Sequence, residues 1–248
     1  MTTILTNNQI ALTVHLAYFQ VFSETTAKDK TFVPGTRNSL LSHPSKMPGA
    51  SFGLPAHKAC PRVAGSICDS CYASKGCYAW KSSQNAQHAR FAWTRECMKS
   101  DEGMMHWVSV MICAIWHETY FRGHDSGDFF NARYAKAWLL VCRALPATKF
   151  WFPTRAWQQP NGVLPVYDPL LNTLRELAAL PNVTVRPSAL NFGDLPHVVK
   201  GLHAGSTADM ADETKAYQCP AIAEYEDHCG PCRHCWDEKS QPTNYPKH

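Results

Sequence analysis

Apolar positions recur along this chain at two spacings, and the change from one to the other marks out its elements. In residues 85–99 and 102–119 they fall three and four apart. Met104, Val108, Met111 and Ile115 share one face, so both segments are predicted to be helices. The short segment 120–124 leads into a glycine-containing turn, "HDSGDFF", and 132–145 reads as a helix stopped before Pro146. "KFWFP" at 149–153 has the look of a buried strand. Beyond a Pro/Gly-rich loop, Asp168 as N-cap and Pro169 at the first helical position open another helix, which ends at Pro181. "NVTVRP" follows as a strand, and a last helix–strand pair is expected over 194–218. An apolar stretch from Ile10 to Phe22 suits a strand or helix of a globular domain.

Strand, helix, strand at this rhythm predicts an α/β fold: a parallel sheet with helical crossovers. The chain has room for about four to six such units, fewer than the eight of a closed barrel. A partial or irregular barrel is therefore the first expectation and an open doubly wound sheet the second. One domain is expected over 1–248, with a Cys-rich loop at 60–77, a core over about 85–218 and a Cys-rich segment at 219–236. The polar tail after Trp236 is expected to be loose. No Gly-rich phosphate loop follows any strand, so the usual nucleotide fingerprints lend no support.

Composition narrows the function classes. The chain has 248 residues, 45% hydrophobic and 18% charged, against roughly 25% charged in typical soluble domains. The net charge of +4 is scattered and does not argue for nucleic acid. The partner class left is a small-molecule or nucleotide-type substrate. The Ile10–Phe22 stretch lacks a basic n-region, carries His15 and Gln20, and is too short to span a bilayer. A soluble, cytoplasmic protein is expected. Trp80, Trp93, Trp107, Trp116, Trp138, Trp151 and Trp157 read as core rather than as stacking platforms for bases.

Eleven cysteines in a cytoplasmic chain should be reduced unless something else uses them. Cys97, Cys113 and Cys142 stand alone in apolar-periodic segments and read as small buried hydrophobes. The other eight form two groups. In the first, Cys60 and Cys68 have seven residues between them, Cys68 and Cys71 two, and Cys71 and Cys77 five. In the second, Cys229, Cys232 and Cys235 have two residues between neighbours, and nine residues separate Cys219 from Cys229. Each Cys-x-x-Cys turn directs two sulfurs to one side, so both groups are candidate metal ligands. The candidates are 4Fe–4S clusters, one or two of them, and tetrahedral zinc. The run "CGPCRHC" favours a cubane at the C-terminal group, with zinc the alternative there. Ligation of a cluster by Cys60, Cys68 and Cys71 alone would leave one iron open. Cys77 either closes that position or packs beneath it. Of twelve histidines, only His228 and His234 adjoin a candidate ligand.

"SFGLPAHKACP", "CDSCYASKG", "HDSGDFF", "HCGPCRHCW" and "NYPKH" resemble, in that order from about residue 46 to the end, the phage "gene product eighty-eight" family. This resemblance implies a phage-encoded protein working in the host cytoplasm. The "C-x-x-C-Y-A" segment also resembles radical S-adenosylmethionine enzymes, in which three cysteines before the first barrel helix hold a 4Fe–4S cluster. The seven residues between Cys60 and Cys68 depart from the three usual there.

The segment "GHDSGDFFNARYAKAW" lies where a strand should end and a helix begin, the edge of an α/β sheet where sites collect. The second resemblance implies that this turn meets the amino group of S-adenosylmethionine, through Asp125, Ser126 and Asp128. Alternatively, Asp128 caps the following helix and Gly127 permits the turn. Ser126 with His124 also invites a hydrolase reading, although Gly-x-Ser-x-Gly is absent. Thr154 and Arg155 after one strand, and Arg186 and Ser188 after the next, are candidate cofactor or substrate contacts. Three functions stay open: a redox or radical enzyme with an open cluster, a hydrolase with a structural or Lewis-acid cluster, and a non-catalytic binding protein stapled by iron–sulfur or zinc.

Overall fold

The structure is a computed structural model that describes residues 40–246, apart from 160, 161, 164, 166 and 211. The apolar stretch expected to be a strand or helix near the N-terminus lies outside the described residues. A short helix, α1 (Ala56–Ala59), precedes three single turns that carry the first cysteines. Two longer helices follow, α2 (Lys81–Cys97) and α3 (Asp101–Ile115). The first begins four residues before its expected start, and the second ends four short of its expected end. Then come β1 (Tyr120–Arg122), α4 (Ala132–Ala144) and β2 (Lys149–Thr154). A small hairpin of β3 (Gln158–Gln159) and β4 (Gly162–Val163) leads to α5 (Pro169–Ala178) and β5 (Val183–Pro187). The chain ends with β6 (Ser206–Ala208), β7 (Tyr217–Gln218), α6 (His234–Asp237) and β8 (Thr243–Tyr245).

The fold is mixed α/β with small parallel sheets. Strands β1, β2 and β5 form one sheet in that order, and β6, β8 and β7 form another. A parallel bridge from Ser188 to Ser206 links them, and another sets Ser51 beside Arg122. The series is open: among the described residues there is no closed barrel. No helix among them is long and apolar enough to cross a membrane.

Side chains on β1, β2 and β5 alternate between two coverings, as a period of two requires. Phe121, Phe150, Phe152, Val183 and Val185 enter the core beneath α2–α5. Trp107 and Trp138 sit at its centre, edge-on at 5.2 Å, with Phe52 edge-on to Trp107 at 5.8 Å. The opposite face meets the C-terminal segment. Tyr120 and Trp151 pack on Trp236, and the Thr184 hydroxyl donates to the Trp236 carbonyl at 2.8 Å.

Local signals decide the helix starts. Asp168 accepts from the Leu170 and Leu171 amides at 2.8 and 3.2 Å, the expected cap on α5. On α4 the cap is Asn131, whose Oδ1 accepts from the Tyr134 amide at 2.8 Å, so Asp128 is not the capping residue. Three other expectations are corrected. Residues 194–218 hold no α-helix among those described, but loops, β6, one helical turn and β7. The tail is not loose, because β8 is the middle strand of its sheet. Trp80 and Trp116 are 65% and 69% exposed, whereas Trp107, Trp138, Trp151 and Trp157 are buried. Cys97 and Cys142 are buried as expected, and Cys113 is only partly so.

Candidate functional site

The loop after Ser51 carries the first cysteines over the C-terminal edge of the sheet. Its backbone is fixed at two points: the Leu54 amide donates to the Ser126 carbonyl at 2.9 Å, and the Ile67 amide to the Leu190 carbonyl at 2.8 Å. The Ser66 hydroxyl accepts from the Cys68 amide at 3.2 Å and sets the turn that presents Cys68 and Cys71. Cys60, Cys68 and Cys71 line one hollow of about 220 Å³ with Ala56, His57 and Arg62. Cys77 does not line it and is exposed.

The 124–128 turn is packed rather than open. Gly127 has φ +79°, and a Cβ there would come within 2.6 Å of Leu54 Cβ, so only glycine suits. The Ser126 hydroxyl, buried, donates to the Leu54 carbonyl at 2.6 Å. The His124 Nε2 pairs with the Tyr134 hydroxyl at 3.0 Å. His124 therefore does not pair with Ser126. Burial, with Arg122 nearby, lowers the His124 pKa to about 3, so its ring is neutral. Asp128 is also buried but fully engaged. Its Oδ1 accepts from the Phe129 amide and the Thr154 hydroxyl, and its Oδ2 from the Arg155 amide, all at 2.7 Å. Burial outweighs these bonds and raises its pKa to about 6. Arg155 is held by a bond from Nε to the Ala189 carbonyl at 2.8 Å.

The structure brings Asp128, Thr154 and Arg155 together as one unit, and that unit bears on the first hollow. The Cys60 thiol is raised chiefly by burial, then by Asp128, Cys71 and Cys68, with Arg155 opposing. Asp125 is 4% exposed, and its Oδ1 has no partner. That oxygen lies against Gly53, where a Cβ would come within 2.5 Å of it. The Asp125 carbonyl accepts from the Tyr72 hydroxyl at 2.5 Å.

Ser188 and Arg186 have other surroundings. Ser188 is buried, its amide on the Thr154 carbonyl at 2.8 Å and its hydroxyl 3.4 Å from that of Ser206. Arg186 is not at this edge of the site. Its fully buried guanidinium donates to the carbonyls of Ala204 and Gln241 at 2.9 Å, and to those of His234 and Glu238. It braces the C-terminal segment.

That segment makes the second hollow, of about 250 Å³, lined by Cys219, Cys229, Cys232, Cys235, Pro220, Ala221, His234 and Trp236. The Cys219 amide bonds the Asn244 carbonyl at 2.9 Å, and the Cys229 amide reaches back to the Lys46 carbonyl at 2.8 Å. Gly230 allows the turn between Cys229 and Cys232 at φ +50°, where a Cβ would strike the Tyr225 ring. Trp236 anchors the far side, its Nε1 donating to the Phe121 carbonyl at 3.0 Å. Two tyrosine hydroxyls touch sulfurs, Tyr217 on Cys232 at 3.4 Å and Tyr245 on Cys235 at 3.2 Å. Burial raises the thiols of Cys219 and Cys229, and pushes Cys235 up to about 12. His234 stacks on Tyr217 at 3.9 Å, whereas the His228 ring is on the Glu226 carbonyl.

Among the described residues, no group of three or more His, Cys, Asp or Glu is drawn close enough together to hold a metal ion. A zinc ion at about 2.3 Å from each sulfur would bring the sulfurs to within about 3.8 Å of one another.

The Gene product 88 family model matches residues 21–238. The chain belongs to the Gene product 88 family. The match begins well before the first motif, in a stretch where the sequence offered no likeness, and stops short of "NYPKH". The family is a phage one, as those motifs implied. No curated protein and no solved structure matches the chain. Reading the sequence alone missed Tyr72, Arg122, Tyr217 and Tyr245 of this Gene product 88 protein. Only the tyrosines directly beside Cys71 and within "NYPKH" carried a signal, their place in the motifs.

Proposed function

We propose that this phage protein is an iron–sulfur enzyme of redox or radical type. In this reading Cys60, Cys68 and Cys71 hold a 4Fe–4S cluster with one iron open to a ligand, and Cys219, Cys229, Cys232 and Cys235 hold a second. The observation that carries it is the first hollow: three cysteines face it, Cys77 does not, and Asp128 and Arg155 act on Cys60. Thiol donors suit iron–sulfur clusters, whose thiolates bind different irons and so need a wider spread than one ion allows. The second hollow offers four thiols, enough to close a cubane. A cluster with a free coordination position supplies one-electron chemistry to whatever binds there.

The chain's own residues would do the rest. Asp128 holds Thr154 and the Arg155 backbone in place beside the hollow. Arg155 offers positive charge to an anionic group of the ligand. The unpartnered Asp125 oxygen, buried against Gly53, would accept from an amino group once that turn opens. S-adenosylmethionine, with one carboxylate and one amine, has the polarity for this arrangement. Hydrolysis through Ser126 is disfavoured, because its hydroxyl is committed to Leu54 and His124 to Tyr134.

The test adds S-adenosylmethionine to anaerobically reduced protein and follows the cluster's paramagnetic resonance spectrum and cleavage of the added molecule. A changed spectrum in the wild type, absent in Cys68→Ala, is expected. A wild-type spectrum that no small ligand alters means a closed first site, and the radical mechanism then fails.

A further inference from the structure

Arg122 ends β1 and touches neighbours of each hollow's lining: Tyr72, next to Cys71, and Trp151, which packs on Trp236. Its Nε donates to the His124 carbonyl at 2.9 Å, at the start of the Asp125 turn. Its Nη2 donates to the Tyr72 hydroxyl at 3.3 Å, and Tyr72 directly follows Cys71. On the other side the guanidinium lies 4.8 Å from the centre of the Trp151 ring. Trp151 packs edge-on against Trp236, which lines the second hollow, at 5.2 Å, and against Tyr245 at 6.4 Å. The Tyr245 hydroxyl is 3.2 Å from the Cys235 sulfur. Contacts thus run without a break from Cys71 through Tyr72, Arg122, Trp151 and Tyr245 to Cys235.

We propose that Arg122 is a positioning residue whose one positive charge serves both cysteine sites, raising the reduction potential of the cluster held at each. This rests on the iron–sulfur reading above. Reducing a cluster adds negative charge, and a nearby fixed cation stabilises that form more than the oxidised one. A guanidinium keeps its charge at every working pH. Its planar fork also lets it bond His124 and Tyr72 while lying over an indole, which a lysine cannot reproduce in full. The groups facing Arg122 are Tyr72, Tyr78, Asp125 and Tyr245, so a carboxylate and three phenols surround the charge. Other arginines lie on one side only: Arg62 lines the first hollow and Arg155 bonds the Ala189 carbonyl, while Arg186 bonds the His234 and Glu238 carbonyls and Arg233 those of Gly230 and Cys232.

The experiment is a potentiometric titration of anaerobically purified full-length protein, with iron and sulfide measured on each sample. Cys68→Ala and Cys232→Ala assign the two resonance signals. Arg122→Met is expected to lower both midpoint potentials, changing each oxidised-to-reduced ratio about tenfold, or about 59 mV for a one-electron couple. Arg122→Lys should recover most of the shift, and Arg155→Gln should move the first site alone. If Arg122→Met loses iron, Arg122→Gln, which keeps a donor for the His124 carbonyl without the charge, is measured instead. Unchanged potentials at wild-type iron content, or a shift at one site only, overturn the shared-charge proposal and leave the iron–sulfur reading standing. Wild-type protein without iron and sulfide overturns both.

Discussion

The two cysteine hollows are built in opposite ways. The first is a loop laid over the sheet edge, with three facing cysteines and little regular structure. It is flanked by a buried carboxylate, a threonine and an arginine that no cysteine needs for its own packing. The second is a plug pressed on the sheet face. It has four facing cysteines, a tyrosine hydroxyl on each of two sulfurs, and Trp236 keyed into β1 by its indole N–H. A site laid in a loop beside a carboxylate and an arginine suits a charged ligand that comes and goes. One plugged onto the sheet by Trp236 and two tyrosines suits a permanent structural or electron-carrying role.

Several substitutions sharpen or break this contrast. The largest effect is expected from cysteine removal. Cys232→Ala should lose the second site's iron and lower thermal stability, because the plug covers one face of the sheet. Cys68→Ala should lose the first site's iron with a smaller change in melting temperature. Cys142→Ala should keep both, since a buried lone cysteine acts as a small hydrophobe. Equal iron loss in all three variants would mean general unfolding and erase the distinction.

Next comes Trp236→Ala. It removes a buried indole and its bond to Phe121, and should destabilise the fold by about 3–5 kcal/mol in denaturant titration. A loss under about 1 kcal/mol would show that the plug is not anchored there.

A smaller, pH-dependent effect belongs to the turn near the first site. The folded pKa of His124, about 3, lies below the ordinary 6.5, so the unfolded chain binds the proton first as pH falls. Its contribution is present above pH 6.5 and is lost progressively towards pH 3. Between pH 7 and pH 5 this amounts to about 2 kcal/mol. His124→Phe should flatten that part of the stability profile. Asp128 has the opposite sign: its pKa is raised from 3.8 to about 6, so its contribution is lost as pH rises through that range. Removing His124 should therefore expose a decline from about pH 4 to 6. A profile that keeps its wild-type shape would contradict both assignments.

The smallest effect is expected at Cys77. Because Cys77 is exposed and off the hollow, Cys77→Ala should retain wild-type iron content. Loss of iron there would make the first site four-liganded and like the second.

Local chemistry made much of this fold legible. Asp168 and Pro169 announced α5, and the run 132–145 matched α4 to within a residue, because caps and periodicity act over a few positions. The errors came where distant partners decide. Asn131 took the cap because Asp128 was already bound to Thr154 and Arg155, two residues that only the sheet brings near. The tail became a middle strand because β6 and β7 flank it, which no local pattern could announce. In the same way, cysteine spacing pointed to which cysteines share a hollow, but the placing of Cys77 off the first hollow and of Arg122 beside Tyr72 and Trp151 depends on packing across the whole domain.

The account stands or falls on what the cysteines hold. Anaerobically purified protein, assayed for iron, acid-labile sulfide and zinc per chain, should contain iron and sulfide in equal amounts, about eight of each for two cubanes. Stoichiometric zinc with no sulfide would contradict it.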